Sequence, residues 1–210
     1  NTFNISYFSS REVKWLPLSQ FQKEYDELND QFGRCSVLKD VTLNFTNQKF
    51  FNEFKNKIKY DRVGEVAFFV ERKNHKFIVI RTHFYPDGIY RIPTGGIQFG
   101  EGIMEALTRE IGEELGLQTK INKFLGGVKY RINYKKDSLN YMSFVFWLEE
   151  LGGTILEDAT EDEISQFKEA ERADIELICK NLKSNKSNWK DWCSFRYQTT
   201  SFILPFLPES

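Results

Sequence analysis

The chain has 210 residues with three cysteines, two histidines and five prolines, and each scarcity removes a class of answer. Cys35, Cys179 and Cys193 are odd in number, widely spaced and form no C-x-x-C pair. Neither a disulfide framework nor a zinc site is indicated, and the three read as reduced thiols. His75 and His83 belong to no Ser-His-Asp or Cys-His arrangement, so nucleophilic triad chemistry has no base to draw on. Charge of one sign is also missing: 29 basic against 30 acidic residues leave a formal net charge of −1. Without a basic field, binding of long nucleic acids through counterion release is not expected. No apolar run is long enough to span a bilayer, and the opening Asn1-Thr-Phe-Asn lacks the basic flank and apolar core of a secretory signal. A cytoplasmic protein with no membrane partner is the expectation. Internal repeats and low-complexity linkers are absent, and the length suits one core, or one domain with a modest extension.

What the chain does have is concentrated in residues 95–117. The run Ile92-Pro93-Thr94-Gly95-Gly96 opens it, the proline fixing one dihedral and the paired glycines allowing close backbone approach. From Ile103 the residues Ile103, Leu107, Ile111 and Leu115 recur every fourth position, the stripe of an amphipathic helix, and Gly116 supplies a C-terminal stop. A helix from about Ile103 to Leu115 is predicted. At roughly 100° per residue, Glu110 and Glu114 project beside that stripe and Glu113 slightly further round, whereas Glu105 and Thr108 face away from it. Carboxylates crowded at the edge of a buried face repel one another unless a cation compensates. Hard cations such as Mg²⁺ take oxygen ligands and are held by one or two carboxylates plus substrate phosphates. Glu110 and Glu114, one turn apart, have the spacing to share one. Arg109 is the only cation among these acids, and its guanidinium fork suits holding Glu101 or Glu113.

The residues Gly95, Glu101, Arg109, Glu110, Ile111, Glu113, Glu114, Gly116 and Leu117 fill every specified position of G-x5-E-x7-R-E-U-x-E-E-x-G-U, where U is bulky and apolar. The chain therefore resembles the Nudix (MutT-like) hydrolases. That resemblance implies an α/β fold, the Nudix α/β/α sandwich with a mixed sheet, over about residues 63–182. It also implies cleavage of a pyrophosphate bond in a nucleoside diphosphate linked to another moiety, with Mg²⁺ or Mn²⁺ as cofactor. The expected metal ligands are the Gly95 carbonyl, Glu110, Glu113 and Glu114. The expected catalytic residues are Glu110, as first choice of general base, with Glu113, Arg109, Glu101 and Glu163. Glu161 and Glu163 lie in a later acidic loop from which similar enzymes bring a glutamate to the metals, and Glu157 and Asp162 share it.

Two divisions are expected along the chain: an N-terminal α/β extension over 1–60 and the catalytic domain, with its C-terminal helices, over 61–210. In the extension, Ser19 to Gln22 fits a capping box ahead of a helix through Phe21, Tyr25, Leu28 and Phe32 that Gly33 ends. Val41, Leu43 and Phe45 alternate as a strand, and Phe50, Phe51, Phe54 and Ile58 mark a helix starting near Asn47. These apolar faces must be buried against the core, walling a pocket, or against a second subunit in a homodimer. Beyond residue 60, strands are expected at 65–71 and 76–82, turning at Lys73-Asn74-His75, then at 124–132 and 141–149 around a loop at 133–140, and at 163–168. Helices follow at 173–182 and 189–202, the last stopped by Pro205.

For the substrate, a small nucleotide, Arg81 and Arg91 are candidates to meet phosphate. Tyr90, with Phe84 and Tyr85, is a candidate to stack a base. Tyr134, seventeen residues past Leu117, lies close to where a tyrosine marks dinucleoside polyphosphate hydrolases among similar proteins, and Arg196 is a further ligand candidate. The proline after the box that suggests ADP-ribose hydrolases is missing. Two alternatives stay open: a non-nucleotide phosphorylated substrate, and a catalytically silent ligand-sensing or interaction module on the same fold.

Overall fold

A computed structural model describes residues 16–155 and 166–209. Alternation of apolar residues builds one mixed, seven-stranded sheet with helices on both faces. The elements are α1 (Leu16–Phe32), β1 (Val37–Asn44), α2 (Gln48–Tyr60), β2 (Arg62–Glu71), β3 (Phe77–Arg81), β4 (Thr94–Gln98), α3 (Ile103–Glu110), β5 (Leu117–Tyr134), β6 (Asp137–Gly153), β7 (Gln166–Ala170), α4 (Arg172–Ser184) and α5 (Lys190–Thr200). The strand order is β1-β5-β6-β2-β3-β7, with β4 paired to β2 off that path. β1 runs parallel to β5 and β2 parallel to β6, and the remaining pairs are antiparallel. Among the described residues no helix is long and apolar enough to cross a membrane.

Strand β2 is buried on both faces, because successive side chains point to opposite sides. Val66, Phe68 and Val70 meet α1 and α3 through Phe21, Leu28, Ile103 and Leu107. Ala67 and Phe69 belong to the opposite core, with Phe51 and Ile58 of α2, Ile175 and Ile178 of α4, and Phe195 of α5. The α/β/α sandwich follows, as expected.

The structure redraws several element boundaries. The expected loop at 133–140 is instead the end of a long hairpin: β5 and β6 pair as far as Tyr134 with Asp137. Lys135 takes the left-handed conformation, φ 53°, that so tight a turn requires. The 73–75 turn forms as expected, with His75 at φ 64°. Helix α1 is already running at Leu16, so Ser19 lies inside it and not at its cap. Asn47 does cap α2, its side chain accepting from the Lys49 and Phe50 amides. The box helix does not run as a single α-helix to Leu115: it is α-helical through Glu110 and then forms a π-turn over Ile111–Leu115. Gly116, at φ 66°, closes that turn by donating its N–H to the Ile111 carbonyl. The last strand begins at Gln166, and the expected residues 163–165 lie outside the described residues. Pro205 sits within a short 3₁₀ turn after α5.

Candidate active site

Strand β4 carries the glycine pair edge-on between two charged side chains. Gly95 and Gly96 pair with Val66 and Glu65 of β2, so their Cα hydrogens face opposite sides of the strand. On the α3 side the carboxylate of Glu110 lies directly on Gly95, where a Cβ would fall well inside van der Waals contact of its Cγ and Cδ. On the other side the Arg62 guanidinium covers Gly96, 2.8 Å from where a Cβ would stand. A side chain at Gly95 would displace the Glu110 carboxylate, and one at Gly96 would push aside the flexible end of Arg62.

Arg109 organises the acids. Its Nε and Nη2 donate to the two oxygens of Glu101 at 2.8 and 2.9 Å, the fork-on-carboxylate geometry suited to arginine. Its Nη1 donates to Glu110 at 2.7 Å and Glu113 at 3.1 Å, and Nη2 also reaches the Gly96 carbonyl at 2.8 Å. One guanidinium thus ties the box loop to the helix, touching Glu101, Glu110 and Glu113 together where either Glu101 or Glu113 was expected. The Arg109 hydrogen bond holds the Glu101 carboxyl below its ordinary range. Glu110 moves the other way: burial raises its pKa, with Arg109 partly opposing. Of the three box acids beyond Arg109, Glu110 is buried, Glu114 half-buried and Glu113 exposed.

Among the described residues no three His, Cys, Asp or Glu side chains converge as a ready-made metal cage. The all-oxygen set of Glu110, Glu113, Glu114 and the Gly95 carbonyl nonetheless fits a hard cation, which needs only one or two carboxylates before phosphate oxygens and water complete its shell. The Glu110 carboxylate already lies against the Gly95 backbone. Glu163, with Glu157, Glu161 and Asp162, lies outside the described residues.

Beside Gly96 opens a cavity of about 270 Å³ whose wall includes Arg62, Glu65, Arg91 and Arg196. Glu65, 1% exposed, accepts from Ser143 Oγ at 2.6 Å and from Arg196 Nη1 at 3.0 and 3.1 Å. Arg91 is buried, its Nε donating to the Tyr85 hydroxyl and its Nη1 to Ile92 O and Thr94 Oγ1. Two of the residues expected to meet substrate, Arg91 and Arg196, line this cavity, as do the stacking candidates Phe84 and Tyr85. Arg81, Tyr90 and Tyr134 do not line it. Arg81 donates to Tyr85 O and lies over the Tyr90 ring, whose hydroxyl donates to Gln166. The Tyr134 ring packs at a tilt against Phe51 of α2, with centroids 5.3 Å apart.

Sequence reasoning missed Arg62 and Glu65 in this cavity. Their local signal is a pair of charges ahead of the apolar run Val66–Val70. It also missed Glu24 of α1, whose carboxylate accepts from the Ile103 and Met104 amides at 2.8 and 2.9 Å. That contact caps α3 from 79 residues away and satisfies donors a helix N-terminus leaves open. Burial pushes the Cys179 and Cys193 thiols up to about 12, so neither offers a thiolate nucleophile near neutral pH.

The NUDIX domain model matches residues 61–193 of the chain. Nudix hydrolase 6 of Arabidopsis thaliana is 32% identical over 104 residues, covering 48% of this chain and 35% of the plant protein. The chain therefore spans about a third of that relative's length. The ADP-ribose pyrophosphatase of Methanocaldococcus jannaschii is 30% identical over 125 residues, covering 59% of this chain and 69% of the archaeal protein. Among solved structures, the E. coli dihydroneopterin triphosphate pyrophosphohydrolase matches at 16% identity and a TM-score of 0.45, over 70% of this chain and 99% of that one.

Proposed function

The chain belongs to the Nudix family, and from that membership we propose that it is a Mg²⁺- or Mn²⁺-dependent pyrophosphohydrolase acting on a nucleoside diphosphate linked to another moiety. The observation that carries the reading is the Glu110 carboxylate seated on the Gly95 backbone and tied by Arg109 to Glu101 and Glu113. An acidic surface helix would leave such a carboxylate in solvent. Here a buried acid is kept beside a bare backbone, as a cation site requires.

The divalent cation, when bound, neutralises phosphate oxygens and makes the attacking water more acidic. Glu110, Glu114 and the Gly95 carbonyl are the groups proposed to hold it, with Glu113 beside them. Glu110 is also the proposed proton acceptor, the first choice because it lies on the same edge of the box helix one turn from Glu114. A water oxygen bonds to phosphorus, the bridging P–O bond breaks, and the proton passes to the carboxylate. Arg109 and Glu101 position the acids and do not touch substrate; Glu163 is retained as a second candidate base. Arg62 and Arg91, which line the cavity beside the glycine pair, are the groups proposed to meet the phosphates.

ADP-ribose heads the substrate panel because an archaeal relative is an ADP-ribose pyrophosphatase. Incubation with ADP-ribose, other nucleoside diphosphate conjugates and sugar or isoprenoid diphosphates, with Mg²⁺ or Mn²⁺, is expected to release a nucleoside monophosphate from at least one nucleotide. Activity confined to the non-nucleotides overturns the substrate class. Inactivity on the whole panel favours a ligand-sensing module.

A further inference from the structure

We propose that Glu24 of α1 is a positioning residue of the box. By holding the first turn of α3 it fixes the loop that carries Glu101 and, through Arg109, the acids assigned to the cation. The inference rests on the hydrolase reading and gives a part in the site to a segment outside the family match, which begins at residue 61.

Helix α1 is a fixed platform. Phe21, Tyr25 and Leu28 are buried in the same core as Ile103 and Leu107, and the Phe21 and Tyr25 rings meet Phe144 and Phe124 edge-on at 5.4 and 5.2 Å. Glu24 stands beside that stripe, half-buried, with both oxygens turned to α3. Oε2 accepts from the Ile103 amide at 2.8 Å and Oε1 from the Met104 amide at 2.9 Å. The N-cap residue of α3 is Gly102, which has no side chain of its own to accept from those amides. A Cβ at Gly102 would stand 3.1 and 3.3 Å from the two Glu24 oxygens. The bare glycine thus leaves room for a cap that only another element supplies. Glu105 accepts from the Gly102 amide at 3.0 Å, so the amides of Gly102, Ile103 and Met104 all have carboxylate partners.

The loop just ahead of this cap is exposed at Gln98, Phe99 and Gly100. Gly100 takes the left-handed conformation, φ 84°, with no described atom within 4 Å of where a Cβ would stand. The loop is tied by the Glu101 amide donating to the Gln98 carbonyl at 3.1 Å and the Gln98 amide donating to Glu101 Oε2 at 2.9 Å. Segments with few buried contacts open at small free-energy cost, so an anchor on the residues that follow Glu101 limits how far Glu101 moves. The Glu101 carboxylate in turn holds Nε and Nη2 of Arg109, whose Nη1 reaches Glu110 and Glu113. A chain of hydrogen bonds and short backbone steps therefore joins Glu24 to the Glu110 carboxylate lying on Gly95. Loosening its first link lets the acids drift from the arrangement in which a cation finds them.

The test uses the full-length protein without substrate, well below its melting transition, where a loss of global stability alone leaves metal affinity untouched. Electron paramagnetic resonance of free Mn²⁺ gives the affinity, and hydrogen exchange in EDTA follows the amides of residues 98–104. Glu24→Gln keeps the side chain's size but turns one acceptor oxygen into a donor. It is expected to raise the Mn²⁺ dissociation constant by roughly two- to thirtyfold, the equilibrium factor that a helix cap carries, and to speed exchange across the loop. Glu24→Ala is expected to do the same, and adding Gly102→Ser, which supplies a local cap, to restore both readouts. Mn²⁺ affinity unchanged in both single variants, whether or not exchange speeds up, overturns the proposal. So does a double variant in which the amides are protected again while Mn²⁺ still binds weakly. Failure of the hydrolase reading looks different: the Glu24 variants weaken Mn²⁺ as described, yet the wild type cleaves no nucleotide conjugate.

Discussion

At the scale of single residues, Gly95 decides whether the acids can work. A methyl group there would collide with Cγ and Cδ of Glu110, which Arg109 holds at 2.7 Å. The carboxylate would have to swing away, and misplacement of a catalytic group by about 1 Å costs on the order of 100-fold. Gly95→Ala is therefore expected to lower kcat by about two orders of magnitude while the protein still unfolds cooperatively, as calorimetry alongside the activity assay would show. Wild-type turnover in that variant would mean that Glu110 need not sit on the backbone. The motif residues were legible in the sequence because their spacing is local: a helical repeat and a fixed count of positions place Glu110 beside Ile111 whatever the rest of the chain does. Arg62 and Glu65 were not, since nothing in a strand's own pattern says which side chains across the fold will share its cavity.

Among elements, the box helix depends on a neighbour outside the box. Glu24 of α1 accepts from the first two amides of α3, while the Glu105 side chain accepts from the Gly102 amide. N-terminal caps are worth about 0.5–2 kcal/mol, so Glu24→Ala is expected to lower stability by about that amount in urea denaturation. Unaltered stability would show that water replaces the carboxylate at no cost. Periodicity found the strands and helices, but ends were harder. The π-turn at Ile111–Leu115 keeps the apolar stripe that predicts an α-helix, and only its hydrogen-bond register differs. The hairpin turn at Lys135 was hidden because lysine is a poor signal for a left-handed residue, and Ser19 suggested a cap one turn too late.

For the whole molecule, the segment before residue 61 is joined to the fold through backbone and core alike. Strand β1 pairs with β5 along all its eight residues. Phe45, Phe51 and Ile58 share one core with Val128 and Tyr141, and Phe21, Tyr25 and Leu28 share the other with Phe144. Burying such side chains is worth about 1.5–3 kcal/mol each, so the six together rival the entire ~5–15 kcal/mol stability of a domain. Deleting residues 1–60 is accordingly expected to abolish cooperative thermal unfolding; a truncated protein with the melting temperature of the full chain would contradict this. The sequence located apolar faces in this segment but not their partners, because parallel pairing of β1 with β5 joins residues about ninety positions apart. The central claim is that the box carboxylates act through a divalent cation, and titrating nucleotide hydrolysis with Mg²⁺ after EDTA treatment, in the wild type and in Glu114→Gln, tests it most directly. The account predicts no turnover in EDTA, recovery with Mg²⁺ in the wild type, and a rate at least about 100-fold lower in the variant at an unchanged melting temperature; turnover that persists in EDTA, or that Glu114→Gln leaves intact, would contradict it.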